Sequence, residues 1–544
     1  VRPLVWFRSD LRIDDNPALY RAAGRATEGV VATFVCTPRQ WAAHDWGDPK
    51  VGFVLACLQS LADDLERLDI PLIVETAPDF ADVPRVLRRI AQSQRCDALF
   101  FNHELEVNER RRDELVKKAF RELGLPVNTY DDQTLVPPGS LQSGSGGYYT
   151  VYTPFRRAFL RRLGPEGLPD VLPRPRRQRV RAGRSTPIPR RFAGYRIRGD
   201  SPIAGSAGEK ASRKLLRRFL DSSAGRYHAA RDVPAEEATS GLSPHLAAGS
   251  LSIRRAFIEA IAADDGRIEG GHAGYSTWID QLIWREFYRH VLVGFPRVSR
   301  NRPFRLETEQ VRWREDPRGL DAWREGRTGY PIVDAGMRQL RDTGWMHNRL
   351  RMITAMFLTK HLLIDWRAGE RHFMRSLVDG DLANNNGGWQ WSASTGTDAA
   401  PYFRIFNPWT QGRRFDPEGR FIRRYLPELR DVPSESLHDP GRLREARSAG
   451  IDYPPPIVEH AAARQRALAA FAAVRGKGRP GRVRRYPGGS TDPSRARRNQ
   501  EGSKGPSRTR RSQEGAKDPS RTGRTRRSRA SAAPAGPKPR NEEG

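Results

Sequence analysis

The chain has 544 residues, 37% of them hydrophobic, with 12 Trp and 22 Phe, enough apolar material for two domains with real cores. Its formal charge of +30 points to a polyanionic partner, a nucleic acid or an anionic membrane surface. No apolar run reaches the roughly 18 residues that a spanning helix needs, so no helix is expected to span a membrane. Val1–Phe7 opens on a strand-like run with no signal-peptide character. Cys36, Cys57 and Cys96 lack CxxC spacing and read as reduced, buried thiols of a cytosolic protein. No metal-ligand cluster is visible.

Five short apolar or β-branched runs come first: Leu4–Phe7, Val30–Cys36, Pro71–Glu75, Ala98–Asn102 and Val127–Tyr130. Amphipathic stretches such as Val51–Leu68 and Asn108–Leu123 lie between them. The alternation predicts an α/β, Rossmann-like domain with a five-stranded parallel sheet over residues 1–132. A dinucleotide fingerprint would place glycines straight after a strand. Leu4–Phe7 is instead followed by Arg8-Ser9-Asp10-Leu11-Arg12, so nicotinamide binding is not supported. Residues 133–207 are rich in Pro, Arg and Gly with little periodicity and read as a long connector crossing the surface, Gly144–Gly147 being a turn within it. From 208 to 474 the apolar spacing is helical, as in Leu215–Phe219, Arg254–Ile261, Trp278–Val293 and Arg349–Leu363, which predicts a large all-α domain.

Residues 475–544 lack apolar content, carry 21 Lys/Arg against 6 Asp/Glu, and repeat: Asp492–Lys504 is echoed by Gly505–Lys517. Such a tail is expected to be disordered. It is either a solvated extension or a sequence-independent anchor on DNA phosphates.

Four segments carry candidate chemistry. Tyr227 precedes Thr239-Ser240-Gly241-Leu242-Ser243-Pro244, a turn whose hydroxyls and N–H groups could hold a pyrophosphate or simply cap a helix. Trp278, Gln281 and Arg285 share one face of a Trp-rich helix, where a charged or amide group turned inward suggests a polar ligand. In Gly344–Met352, the residues Asn348, Arg351 and Met352 share a face. Finally, Asn385-Asn386-Gly387-Gly388-Trp389-Gln390-Trp391 is poor material for an ordinary helix. Its small and aromatic residues suggest backbone packed against a flat ligand.

Taken together and in order, these motifs resemble the photolyase/cryptochrome family from Leu4 to about Val474, and class I cyclobutane-dimer photolyases in particular. The resemblance implies reduced, non-covalent FAD held by Tyr227, Thr239, Ser240, Gly241, Leu242, Ser243, Trp278, Arg285, Arg351, Asp379, Gly380, Asp381 and Asn385. Arg351 would pair with Asp379, and Asn385 would face flavin N5. Trp313, Trp366 and Trp389 match the family's electron-carrying tryptophans, although any one of them could be a plain core residue. Arg231, Gln281, Trp284, Asn348, Arg349, Met352 and Trp391 match positions that meet the lesion or the DNA backbone.

The implied reaction is light-driven splitting of cyclobutane pyrimidine dimers by an electron from excited reduced FAD, with the lesion flipped out of the duplex. His44, Asn108 and Glu109 match a folate-type antenna site, for methenyltetrahydrofolate or alternatively a deazaflavin. Read alone, Asn108-Glu109 is the charged start of a helix. The family often has Arg at the position of Gly241, and cyclobutane-dimer enzymes usually have Glu at that of Gln281. Relatives that repair (6-4) lesions often have Gln there but use two His residues, whereas Met346-His347-Asn348-Arg349 has one. The resemblance therefore implies a DNA repair lyase, monomeric and cytoplasmic, associated with the nucleoid through damaged DNA and with any DNA through its tail. A cryptochrome-like photoreceptor without repair is the alternative, and a flavin-free DNA-binding scaffold a third reading.

Overall fold

The computed structural model describes residues 1–197, 206–398 and 403–475. The tail expected to be disordered lies, from residue 476 onward, outside the described residues. Strands β1 (Pro3–Phe7), β2 (Val31–Cys36), β3 (Leu72–Thr76), β4 (Ala98–Asn102) and β5 (Val127–Tyr130) form one parallel sheet in the order β3-β2-β1-β4-β5. Leu4 of β1 pairs with Val31 and Pro3 with Ala98. Leu4 and Trp6 enter one core while Val5 and Phe7 enter another, the alternation of a strand covered on both faces. Helices Pro17–Arg25, Asp48–Glu66, Val83–Ser93 and Val107–Arg121 make the crossovers.

The strand order reverses between β1 and β4, the place where open α/β sheets bind ligands. Here a network of the protein's own charged and amide side chains lies at the strand ends. Asp10 accepts from the side chain of Asn102 at 2.6 Å and from the N–H of Arg8 at 2.7 Å. Glu104 accepts from Arg112 at 2.7 Å, and Arg8 and Arg112 lie 4.0 and 4.7 Å from the Trp6 ring centre.

The remainder is helical, arranged around the long helix Ala273–Gly294. The α/β and helical parts belong to one compact unit. Buried charges join them: Arg254 bonds Asp15 at 2.9 Å and Asp132 at 2.8 Å, and Arg12 also pairs with Asp132. No helix among the described residues is long and apolar enough to cross a membrane.

Two expectations need correction. The stretch taken as a surface connector contains the helix Tyr152–Glu166, whose Phe155 and Phe159 are fully buried in the helical core. Leu135 and Val136 are core residues too, because buried Glu286 accepts both of their N–H groups, at 3.1 and 2.9 Å. Phe155, Phe159 and Leu163 recur every four residues, a helical signal that the surrounding Arg and Pro obscured.

The second correction is Leu382–Ala393, an α-helix that contains the whole Asn385–Trp391 run. Asp381 caps it, accepting from the N–H of Asn384 at 2.9 Å, and Gln390 donates to Asn386 one turn back at 2.8 Å. Gly387 lies so close to Tyr288 that a Cβ would come within 2.3 Å of the ring. Packing of this kind outweighs the about 1 kcal/mol that each Gly costs a helix.

Candidate functional site

Three elements of the helical part bring the expected flavin-site residues together: the helix Ala273–Gly294, the helix Asn348–Met356 and the loop Asp379–Asp381 that leads into Leu382–Ala393, which packs on both helices. Arg351 donates to both oxygens of Asp379, at 2.8 and 3.1 Å, and its Nε bonds the carbonyl of Met346 at 2.8 Å. Asp381 pairs with Arg289. Burial alone would raise the Asp381 carboxyl, but the charges of Arg289 and Arg285 outweigh it and hold the group below its ordinary value. Asn385 donates to the side chain of Glu370 at 2.9 Å and to its main-chain carbonyl at 3.1 Å.

Arg285 is the unusual member of this group. Its hydrogen bonds go to two backbone carbonyls, of Gln133 at 2.9 Å and of Leu246 at 3.2 Å, and it forms no ion pair among the described residues. Burial, reinforced by the charge of Arg289, pulls it down to about 9. A buried guanidinium whose hydrogen bonds go to carbonyls, with Asp381 acting on it only at longer range, suits an anionic ligand. Thr239 and Ser240 line a cavity of about 260 Å³ together with Arg218 and Arg226, a donor set that suits a diphosphate. Gly241 is left-handed at φ +64°, and Ser240 Oγ accepts from the N–H of Leu242 at 3.4 Å. Leu242 is buried, and Ser243 starts the short helix Ser243–Ala248. Tyr227 packs edge-on to Phe219, and Trp278 is a core residue tilted against the same ring. These residues fit an FAD.

Two of the three expected electron-carrying tryptophans are fully buried and the third is half-buried. Trp389 and Trp366 lie inside one core cluster, and Trp313 packs half-buried at its edge. Trp389 is wedged against Gly369, where a Cβ would come within 2.1 Å of its ring, and meets Phe373 edge-on at 4.9 Å.

On the expected lesion and DNA face, Gln281 accepts from Arg231 at 3.1 Å and donates to the carbonyl of Thr277. Arg349 donates to Asp232 at 2.5 Å and covers the Phe415 ring, while Asn348 is exposed at the start of its helix and Met352 is half-buried. Trp284 stacks on Tyr152 with ring centres 3.7 Å apart, so one of its faces is already covered. Arg404 lies over the Trp391 ring at 5.8 Å. His347 is buried and caps Asn348–Met356 by accepting from the N–H of Arg349 at 3.2 Å.

The expected antenna residues also come together, in the α/β part. His44 lies 3.0 Å from the side chain of Asn108, 3.3 Å from Glu109 and 2.9 Å from Gln40. Burial, then the charges of Lys50 and Arg112, lower His44 to about 4. Burial and the neighbouring Glu106 and Glu104 push Glu109 well up. The cluster thus offers an imidazole with a lowered pKa and, within hydrogen-bonding distance of it, an amide and a carboxyl group with a raised pKa.

Sequence reasoning missed Glu370, Arg289, Gln40 and Tyr152. Arg289 could have been found, because it falls one turn after Arg285 on the same helix face. Glu370 and Tyr152 are distant in sequence from their partners, and only the tertiary fold brings them close.

Comparison with known proteins agrees with this architecture. Residues 3–175 match the DNA photolyase family model, and residues 278–473 match the FAD binding domain of DNA photolyase. The chain therefore belongs to the DNA photolyase family. It is 48% identical over 473 residues to the deoxyribodipyrimidine photo-lyase of Escherichia coli K12, covering 87% of this chain and 98% of that one. A bacterial class III photolyase from Agrobacterium tumefaciens superposes with a TM-score of 0.74 at 34% identity, covering 88% of this chain and 98% of the other. A Synechocystis cryptochrome superposes at 0.77 with 29% identity, covering 86% and 99%.

Proposed function

We propose that this chain repairs cyclobutane pyrimidine dimers in DNA as a light-driven lyase, holding FAD in the helical part. The observation that carries the reading is the buried guanidinium of Arg285, bonded to backbone carbonyls and free of an ion pair among the described residues, in the helical part that also pairs Arg351 with Asp379 and holds Asn385 on Glu370. When bound, a reduced flavin supplies the light-driven electron that splits the dimer.

The chain's own residues bind, orient and exclude water. Arg285, Thr239 and Ser240 take the diphosphate, and Arg351 and Asp379 fix the isoalloxazine side by pairing with each other. Asn385, held by Glu370, presents a fixed amide to the ring. Trp389, Trp366 and Trp313 offer a line of oxidisable indoles from the buried pocket to the surface. Gln281 keeps amide donors towards the lesion but has no proton to give, and Arg231 holds its oxygen. Trp284 and Trp391 wall the lesion, with Met352 beside it. Arg231, Asn348 and Arg349 meet phosphates, which position the strand without reading its sequence.

The antenna site is His44, Asn108 and Glu109. Their convergent hydrogen-bonding groups suit the heterocycle of a folate. The basic tail adds affinity for any DNA, and the folded part acts as a monomer.

Illuminating the reduced, full-length protein with a dimer-containing oligonucleotide tests the reading. Thymine absorbance should recover in the light and stay low in the dark, while a (6-4) substrate should stay unrepaired. A flavin-loaded protein that restores no thymine would instead support photoreception without repair.

A further inference from the structure

One short segment of the α/β part reaches both candidate cofactor sites. His44 belongs to the antenna cluster. Lys50, in the first turn of Asp48–Glu66, crosses to the helical part and donates to the carbonyl of Gly380 at 2.6 Å. Its ammonium lies 3.6 Å from the Trp46 ring centre, and the residue is only 8% exposed. The segment between is pinned. A Cβ on Gly47 would lie 1.7 Å from the carbonyl oxygen of Arg375, and Asp45 pairs with Arg375 at 2.7 Å and Arg371 at 3.7 Å.

The loop Asp379-Gly380-Asp381 thus has three anchors of different origin. Arg351 holds Asp379 and Arg289 holds Asp381, both from within the helical part. Lys50 holds the middle carbonyl from the α/β part. Asp381 faces Lys50 from the flavin side, while Glu106, Glu109 and Glu104 face it from the antenna side.

We infer that Lys50 is a positioning residue of the flavin pocket, fixing the Gly380 carbonyl and the backbone of the flavin-contacting loop. The inference rests on the FAD reading above. Burial also lowers the Lys50 ammonium to about 8, with the four carboxylates opposing the fall, so its charge is lost just above neutral pH. The carbonyl then loses a charge-assisted donor and keeps at most a neutral one.

The test is equilibrium binding of FAD to the full-length apoprotein, wild type against Lys50→Met, from pH 7 to 9. Loss of one charge-assisted hydrogen bond should weaken binding roughly tenfold at pH 7. The ratio of the two dissociation constants should shrink towards one by pH 9, since contributions common to both proteins, such as Arg285, cancel in it. A ratio near one at pH 7, or a ratio that does not change with pH, overturns the inference. If Lys50→Met does not fold, Lys50→Arg decides. Its guanidinium stays charged, so it should outbind wild type at pH 9, and a parallel decline in both proteins overturns the idea. Wild type that binds no FAD would sink the flavin reading and this inference together, whereas equal binding by the variants removes Lys50 alone.

Discussion

Asn385 is tethered to Glu370 twice, through the carboxylate at 2.9 Å and the main-chain carbonyl at 3.1 Å, so the helices Trp366–Ser376 and Leu382–Ala393 meet at a polar contact inside the core. Burial pushes the Glu370 carboxyl up to about 7 from an ordinary 4.5. The folded state therefore binds a proton that the unfolded state has already released. Stability falls as pH rises from 4.5 to about 7 and is flat above that. A displacement of this size corresponds to about 3 kcal/mol. Glu370→Gln keeps an acceptor for Asn385 and removes the titration, so it should gain stability on wild type across that window, by up to about 3 kcal/mol at pH 8. Urea unfolding at pH 5 and pH 8 checks this, and an equal difference at both pH values would refute it.

Gly387 and Gly388 separate packing from helix propensity. Gly387→Ala drives a Cβ to 2.3 Å from the Tyr288 ring and should cost about 1–3 kcal/mol. At Gly388 an added Cβ meets nothing within 4 Å, so Gly388→Ala should stabilise the apoprotein by up to about 1 kcal/mol. Thermal melts of both apoproteins suffice, and a shift of the same sign in both would contradict the packing account.

Trp389→Phe should slow flavin photoreduction sharply while FAD stays bound. The smaller ring loosens the wedge against Gly369 and Phe373, at a cost on the order of 1–3 kcal/mol. Transient absorption after a flash gives the rate. Kinetics equal to wild type would remove Trp389 from the electron path.

Gln281→Glu would turn the 3.1 Å hydrogen bond from Arg231 into an ion pair. Repair yield per photon should rise if the natural chain lacks a strong partner for the lesion. Dimer affinity should change less, because Arg231 is already held. Measured quantum yields decide the matter, and a yield at or below wild type would show that the amide is no handicap.

Removing Gly476–Gly544 takes away a basic repeat of the sequence. Each DNA phosphate that is no longer neutralised should flatten the slope of log affinity against log salt by roughly 0.9 on duplex DNA. Single-turnover repair by saturated complexes should not change, since every candidate site residue lies before residue 476. Binding to undamaged duplex across a salt series is the measurement. Identical slopes for the intact and truncated proteins would make the tail a mere extension or a handle for another partner.

Much of this protein is written locally. The five strands lie within one residue of where their runs predict them, and β1, β2 and β4 are buried along their whole length, as strands covered on both faces must be apolar throughout. Motif order suggested which residues would form the proposed flavin and antenna sites, and the fold brings Arg351 to Asp379 and His44 to Asn108 and Glu109. Other features depend on neighbours far away in the chain. The Asn385–Trp391 run is helical only because Asp381 caps it and Tyr288 fits against Gly387. The connector joins the core because Glu286, some 150 residues further on, satisfies its N–H groups. Glu370, Arg289 and Lys50 acquire their partners by burial. Propensity and periodicity are properties of adjacent residues, whereas desolvation and long-range hydrogen bonding arise only when the chain has closed on itself.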